Sequence, residues 1–222
     1  MLVTTDSLFE SLSDKRIRIV DVDVPDAYPR AHIPGAVPVQ DHYYKRADDP
    51  VYLQGHDEFA STMSSLGINN ETSVIAYDSD GGHYAARLYW ALQYYGHEDV
   101  RVLDGGFPKW FAEGRPIQRK QHIYPETHFN TKSRADLICH KEQVLDSIGN
   151  VNTVLWDVRS DEEWSGQNNR GTARGGHLPG AVHLEWKNLV TAGDAPTIKP
   201  AKELRMILEK LGITPEKRVV TY

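Results

Sequence analysis

A long internal repeat places the strongest constraint on what this chain can fold into. Three motifs recur in the same order, each separated from its partner by 145 positions. They are Leu66-Gly67-Ile68 with Leu211-Gly212-Ile213, His32-Ile33-Pro34-Gly35-Ala36-Val37 with His177-Leu178-Pro179-Gly180-Ala181-Val182, and Val74-Ile75-Ala76-Tyr77 with Val219-Val220-Thr221-Tyr222. A period of this length is that of a small domain and is too long for a solenoid repeat. We therefore expect two tandem copies of one domain.

A second offset locates an insertion. Ile19-Val20-Asp21-Val22 pairs with Leu155-Trp156-Asp157-Val158, and Tyr28 pairs with Trp164, at a separation of 136 positions. The difference between the two offsets, 145 and 136, leaves nine additional residues in the second copy, between Trp164 and the following histidine. Residues 165–174 are mostly polar or glycine, which is typical of a surface loop.

The order of apolar runs and amphipathic segments predicts the fold class. In the first copy we expect strands at 17–22, 37–39, 73–77 and 100–103, and helices at 6–12, 57–66 and 84–95. In the second copy we expect strands at 153–158, 182–185 and 218–222, and helices at 141–147 and 201–210. Strands that alternate with helices indicate an α/β fold in which helices flank a parallel sheet.

The same pattern predicts the domain boundaries. Residues 1–116 form the first copy, the polar stretch 117–132 is interpreted as a linker, and residues 133–222 form the second copy. The second copy has no counterpart of residues 78–116, so we expect its domain to be incomplete at the C-terminal end.

Composition and charge make several classes of partner improbable. The net charge is −6 and no cluster of Lys or Arg stands out, so we expect neither nucleic acid nor a membrane surface as a partner. No apolar run reaches the roughly 18 residues of a membrane span, and the N-terminus lacks the pattern of a secretory signal. A cytoplasmic monomer without metal or cofactor is the expectation. The one cysteine, Cys139, leaves no partner for an intrachain disulfide.

Three motifs carry a resemblance to a known family. Ile19-Val20-Asp21 followed by the His32–Val37 run resembles the first signature of the rhodanese family, and Leu155-Trp156-Asp157-Val158-Arg159 followed by Gly176 and the His177–Val182 run resembles it more closely. Leu103-Asp104-Gly105-Gly106-Phe107-Pro108-Lys109-Trp110 resembles the second signature. Leu184-Glu185-Trp186 looks most like the bacterial two-domain thiosulfate sulfurtransferases. The chain thus resembles the tandem-domain rhodaneses over nearly its whole length.

The resemblance implies a reaction and a position for its nucleophile. In this family a cysteine thiolate takes the outer sulfur of thiosulfate or 3-mercaptopyruvate as a persulfide and passes it to a thiophilic acceptor such as cyanide or a thiol. That cysteine directly follows an apolar strand. Asp78 stands there in the first copy, and in the second copy the position follows Tyr222. We therefore expect a degenerate first site and an inactive polypeptide of residues 1–222.

The remaining candidate residues have a functional and a structural interpretation each. Arg159 either attracts an anionic donor or pairs with Asp157. Glu185 and Trp186 are interpreted as residues at the rim of the donor pocket, and Trp186 has a core or interface role as its alternative. Asp78 is interpreted as a relic rather than as a catalytic base or metal ligand. Cys139 lies at the start of the second copy, outside the expected loop, and is interpreted as an incidental thiol rather than the nucleophile.

Two other functions stay open at this point. The chain could be a non-catalytic rhodanese-fold module that binds or regulates a partner. It could also be a phosphatase of the related fold, whose active-site loop is one residue longer. The loop after Tyr222 would discriminate between them, because its length differs between sulfur transfer and phosphoester chemistry.

Overall fold

The computed structural model of the chain describes residues 1–39 and 53–222. These residues form two compact units, one made of residues 1–135 and 192–197 and the other of residues 136–191 and 198–222. No helix in the described ranges is long and apolar enough to cross a membrane.

The first unit is built around a parallel sheet. Its described strands are β1 (Leu2–Val3), β2 (Ile17–Asp21), β3 (Val37–Pro38), β4 (Ser73–Tyr77) and β5 (Val100–Leu103). Its described helices are α1 (Thr5–Glu10), α2 (His56–Ser65), α3 (His83–Tyr94) and α4 (Gly106–Ala112). The strands lie in the order β1-β5-β4-β2-β3 and every neighbouring pair is parallel. The predicted fold class is therefore confirmed.

Alternate residues of the strands fill two apolar layers, one on each face of the sheet. One layer joins strand residues to α1 and α4, and includes Ile19, Ile75, Leu103, Leu8 and Trp110. The other layer joins strand residues to α2 and α3, and includes Val20, Val74, Val102, Phe59, Met63, Leu88 and Leu92. Successive strand residues point to opposite faces, so a strand covered on both faces needs apolar side chains at nearly every position. Burial of both faces of the strands therefore explains the unbroken apolar runs in the sequence.

The segment predicted as a linker packs along the first unit. The backbone of Gln118 exchanges two hydrogen bonds of 2.8 Å with that of His32. Farther along, the amide of Phe129 donates to Oγ of Ser64 at 3.0 Å, and the Phe129 ring is 1% exposed. The compact unit accordingly continues to Ala135, past residue 116 where we place the end of the repeated copy.

The second unit repeats part of this arrangement. Its strands are β6 (Thr153–Asp157), β7 (Val182–His183) and β8 (Arg218–Thr221), and its helices are α5 (Lys141–Ser147), α6 (Asp161–Ser165) and α7 (Ala201–Lys210). The order β7-β6-β8, with both pairs parallel, matches the order β3-β2-β4 of the first unit. Counterparts of β1 and β5 are absent from residues 136–222.

Several elements differ from the sequence prediction. The strand expected at 182–185 ends at His183, and a short 3₁₀ helix begins at Trp186, so Glu185 and Trp186 lie beyond the strand. The helices α4 and α6 were not predicted. They have seven and five residues, and segments this short do not display a helical period clearly.

Candidate functional site

The loop between β4 and α3 is organised around the carboxylate of Asp78. Its Oδ1 accepts hydrogen bonds from the amides of Asp80 and Gly82 at 3.0 and 2.8 Å, and its Oδ2 accepts one from the amide of Ala85 at 2.9 Å. The residue is 1% exposed. Converging amides at a helix N-terminus form a site that favours negative charge. In the first unit the side chain of Asp78 itself supplies that charge.

A glycine pair connects this loop to the second signature. The amide of Phe107 donates to the carbonyl of Asp78 at 3.0 Å. A Cβ atom on Gly106 would lie 2.0 Å from the same carbonyl oxygen, and Gly106 has a φ of +53°. Both facts require glycine at this position, because a side chain would collide with the loop backbone.

A buried carboxylate and a tyrosine meet at the end of β2. The hydroxyl of Tyr77 donates to Oδ2 of Asp21 at 2.6 Å and accepts a hydrogen bond from the amide of Ile33 at 3.3 Å. The amide of Asp23 donates to Oδ1 of Asp21 at 3.0 Å. Burial raises the pKa of Asp21 to about 6, since these two hydrogen bonds compensate only in part for desolvation.

The equivalent carboxylate in the second unit has an arginine partner. Asp157 is 0% exposed, and Nε and Nη2 of Arg159 donate to its two oxygens in a bidentate pair. Burial opposes ionisation of Asp157, but the hydrogen bonds from Arg159 outweigh it and hold its pKa below the ordinary value. The structural interpretation of Arg159, pairing with Asp157, is thus correct, and a contact with a donor is compatible with it.

Tyr222 occupies in the second unit the place that Tyr77 has in the first. Its carbonyl accepts from the amide of Val158 at 3.1 Å, as that of Tyr77 accepts from Val22 at 3.0 Å. Its hydroxyl accepts from the amide of Leu178 at 2.9 Å. From the sequence alone the two tyrosines are markers of the repeat, and their shared offset implies equivalent surroundings.

Arg159 is fixed by three groups at the end of β6. Besides Asp157, Nη2 reaches the carbonyl oxygen of Gly176 at 2.9 Å, and the guanidinium carbon lies 5.1 Å from the centre of the Tyr222 ring. Nη1 has no hydrogen-bond partner among the described residues. The side chain is 30% exposed, so this remaining nitrogen can meet a ligand from solvent.

Glu185 and Trp186 lie beside the same strand end. The amide of Trp186 donates to the carbonyl of Val158 at 3.1 Å, and Lys187 Nζ is 3.7 Å from a Glu185 carboxylate oxygen. The three predicted pocket residues, Arg159, Glu185 and Trp186, are therefore brought to one edge of the second sheet.

A stack of rings that the sequence analysis did not identify adjoins this edge. Trp164 lies between His177 and His183, with ring centres 3.4 and 4.8 Å away. His183 Nε2 is 2.9 Å from the carbonyl of Arg159. Nδ1 of His177 lies 2.9 Å from the carbonyl of Trp164, and the same bond joins His32 to its partner in the first unit at 2.8 Å. The two signature histidines therefore make equivalent backbone contacts in the two units.

The one cysteine of the chain lies outside these surroundings. Cys139 precedes α5, and its Sγ is 3.9 Å from Nη2 of Arg218. Within the described ranges, no set of three or more His, Cys, Asp or Glu side chains is arranged to hold a metal ion.

Comparison with known proteins agrees with this architecture. The model of the rhodanese-like domain matches residues 4–113 and 140–222. The chain is 36% identical over 236 aligned positions to the sulfur carrier protein TtuD of Thermus thermophilus, covering all of this chain and 81% of that protein. It is 30% identical over 213 positions to a thiosulfate sulfurtransferase of Azotobacter vinelandii, covering 95% of this chain and 78% of the relative.

A solved structure gives the same result. SseA of Escherichia coli, described as a 3-mercaptopyruvate sulfotransferase, superposes with a TM-score of 0.87 at 27% identity, covering 99% of this chain and 87% of SseA. Two parallel α/β sheets, each with an aspartate, a His-x-Pro-Gly turn and a tyrosine at one edge, define a tandem protein of the sulfurtransferase class. The chain belongs to the rhodanese family.

Proposed function

We propose that a protein containing residues 1–222 transfers sulfane sulfur from thiosulfate or 3-mercaptopyruvate to a thiophilic acceptor such as cyanide or a thiol. The names of its relatives support the sulfurtransferase class. The observation that carries the proposal is the equivalence of the two tyrosines. Tyr77 lies opposite Asp21 in the sheet and precedes the amide cradle of the first unit, and Tyr222 has the same register beside Asp157.

The proposed nucleophile is a cysteine at the position after Tyr222. Its counterpart in the first unit, Asp78, supports this proposal, because three amides at 2.8–3.0 Å converge on the Asp78 side chain. A thiolate in such a cradle would be stabilised and its pKa lowered. A carboxylate cannot carry sulfane sulfur, so we propose that the first unit takes no part in the transfer itself.

The reaction then has two steps. The thiolate attacks the outer sulfur of thiosulfate, the bond between the two donor sulfurs breaks, and sulfite leaves with the bonding electron pair. The carbon of cyanide next attacks the terminal sulfur of the cysteine persulfide, and thiocyanate leaves as the thiolate is restored. Two such displacements are easier than one direct transfer between donor and acceptor.

Arg159, Glu185 and Trp186 are the proposed donor pocket. Nη1 of Arg159 supplies a free N–H pair for an anionic oxygen. The hydrogen bonds to Asp157 and to the carbonyl of Gly176 hold the guanidinium in place. Trp186 contributes an apolar wall and Glu185 lies at the rim, where Lys187 partly neutralises it. Thiosulfate and 3-mercaptopyruvate both carry the negative charge that this arginine would bind.

A thiosulfate:cyanide assay tests the proposal on three proteins. These are residues 1–222, the same polypeptide with Cys139→Ser, and the natural gene product that contains residues 1–222. We expect thiocyanate only from the third, provided that it has a cysteine after Tyr222. Turnover by residues 1–222 that disappears with Cys139→Ser would instead identify Cys139 as the nucleophile.

One observation favours a second candidate, a non-catalytic binding module. The cradle in the first unit is already filled by the Asp78 carboxylate and cannot hold another anion without displacing it. A natural gene product with no cysteine after Tyr222 and no turnover would support this alternative.

A further inference from the structure

The ring of Tyr222 and the guanidinium of Arg159 form a contact that has no counterpart among the described residues of the first unit. The guanidinium carbon is 5.1 Å from the ring centre in the second unit. In the first unit, the place of Arg159 is taken by Asp23, and the hydroxyl of Tyr77 bonds to the carboxylate of Asp21. The hydroxyl of Tyr222 interacts in the same way with the carboxylate of Asp157, so the arginine is the difference between the two units. The contact is therefore specific to the copy that has the free guanidinium nitrogen.

We propose that Tyr222 is a positioning residue for the anionic donor, acting through Arg159. This inference rests on the proposed function. Asp157 and the carbonyl of Gly176 fix Nε and Nη2 from one side, and the Tyr222 ring limits how the guanidinium can turn about those bonds. Together they determine where Nη1 points and hence how tightly it binds an anion.

The hydroxyl of Tyr222 has a separate role. It accepts the amide hydrogen of Leu178 at 2.9 Å and so fixes the Pro-Gly turn to the end of β8. The hydroxyl of Tyr77 has the same contact with Ile33, at 3.3 Å. Because this bond exists in both units and only the second has the arginine, the ring and not the hydroxyl is the part that we assign to donor binding.

The test uses the natural gene product with Tyr222→Phe, Tyr222→Leu, Arg159→Lys and the Tyr222→Leu/Arg159→Lys double variant. In a two-step transfer, kcat/KM for thiosulfate reports the donor step and kcat/KM for cyanide reports the acceptor step. We expect Tyr222→Leu to lower the thiosulfate value about 3- to 10-fold, the range of a partly exposed cation–π contact. The cyanide value should stay the same.

Tyr222→Phe is the matched control, because it keeps the ring and loses only the hydroxyl. We expect its kcat/KM for thiosulfate to be higher than that of Tyr222→Leu, since the cation–π contact persists. The double variant should fall little below Arg159→Lys alone, because Tyr222 acts through the arginine. Equal losses for both substrates, or additive losses in the double variant, would overturn the inference and leave a structural role.

A measurement independent of turnover separates this inference from the proposed function. Nitrogen NMR follows exchange of the Arg159 Nε–H with solvent in the same variants. Tyr222→Leu should speed this exchange more than Tyr222→Phe does, because only the leucine variant loses the ring. A protein without sulfurtransferase activity would refute the proposed function, and unchanged exchange in Tyr222→Leu would refute the positioning of Arg159.

Discussion

The hydroxyl of Tyr77 donates a hydrogen bond of 2.6 Å to the carboxylate of Asp21, and both side chains are buried in the first unit. Burial raises the pKa of Asp21 to about 6. The equivalent carboxylate of the second unit, Asp157, has its pKa lowered because the hydrogen bonds from Arg159 outweigh its burial. Folding therefore shifts the pKa of the equivalent strand-end aspartate upward in the first unit and downward in the second.

Asp21→Asn is expected to change how the stability of the first unit depends on pH. An acid whose pKa is raised by folding keeps its proton in the folded state while the unfolded chain releases it, so its contribution to stability falls as pH rises from about 4 to about 6. Asparagine keeps an oxygen that accepts the hydrogen bond of the Tyr77 hydroxyl. Because asparagine does not titrate, the fall in stability between about pH 4 and pH 6 should disappear. Relative to wild type, the variant should gain up to about 3 kcal/mol over that interval.

Hydrogen exchange of the β2 and β4 amides at pH 4.5 and 7.5, corrected for intrinsic rates, measures this gain. Asp26→Asn, a substitution on the surface of the same unit where the carboxylate is 76% exposed, is the control. A gain of the same size in both variants would contradict the assignment to Asp21.

Arg159→Met is expected to destabilise the second unit. Asp157 would remain buried without its cation, which costs about 2 kcal/mol at neutral pH after allowance for the partly exposed arginine. An acid whose pKa is lowered by folding stabilises above its unfolded value near 4 and loses that contribution as pH falls through its folded pKa. The destabilisation should therefore shrink at low pH.

Hydrogen exchange of the β6 and β8 amides, which belong to the second unit alone, reports this effect. The double variant Asp157→Asn/Arg159→Met should recover part of the loss, because it removes the unpaired charge. Equal stability of the two variants at pH 7 would show that the ion pair is not the cause.

Asp78→Cys, made together with Cys139→Ser, is expected to place a stabilised thiolate in the first unit. The three amides that bind the Asp78 carboxylate would face the sulfur. The thiol pKa should lie at least about one unit below the ordinary value of ~8.5. Ultraviolet absorbance of the thiolate across pH measures it, with Cys139→Ser as the blank. A pKa at or above 8.5 would mean that the cradle does not form around sulfur.

Phe129→Ala is expected to lower the unfolding free energy of the first unit by about 3–4 kcal/mol. The Phe129 ring is 1% exposed, and its centre lies 5.9 Å from the centre of the Phe59 ring. Phe111→Ala removes the same side chain from a position that is 59% exposed, and should change stability by less than about 1 kcal/mol. Thermal unfolding of both variants checks the difference. Equal losses would mean that residues 117–132 do not stabilise the unit.

The sheet could be predicted from sequence because its information is local. Each apolar run marks a strand buried on both faces, and the constant offset predicts equivalent registers for Tyr77 and Tyr222. The turn histidines and the Asp157–Arg159 pair are also short-range, since each partner lies within 13 residues.

The contacts that build the site could not be predicted in the same way. That the Asp78 carboxylate occupies its own amide cradle depends on a side-chain rotamer, and the support of Arg159 by Gly176 and Tyr222 joins residues far apart in the chain. The periodicity of hydrophobic residues carries no information on the Asp78 rotamer or on the contacts of Arg159. The packing of residues 117–132 was missed for a related reason, because a polar stretch can satisfy its amides on a neighbouring surface as well as in solvent.

The packing of this segment limits how the protein can vary in evolution. A connector between domains is normally a place where chain length drifts freely. Here Gln118 is held by His32 and Phe129 by Ser64, so deletion of one residue between them would break one of the two attachments. Relatives are expected to conserve the length of this connector, and to differ in length instead at the polar loop of residues 165–174.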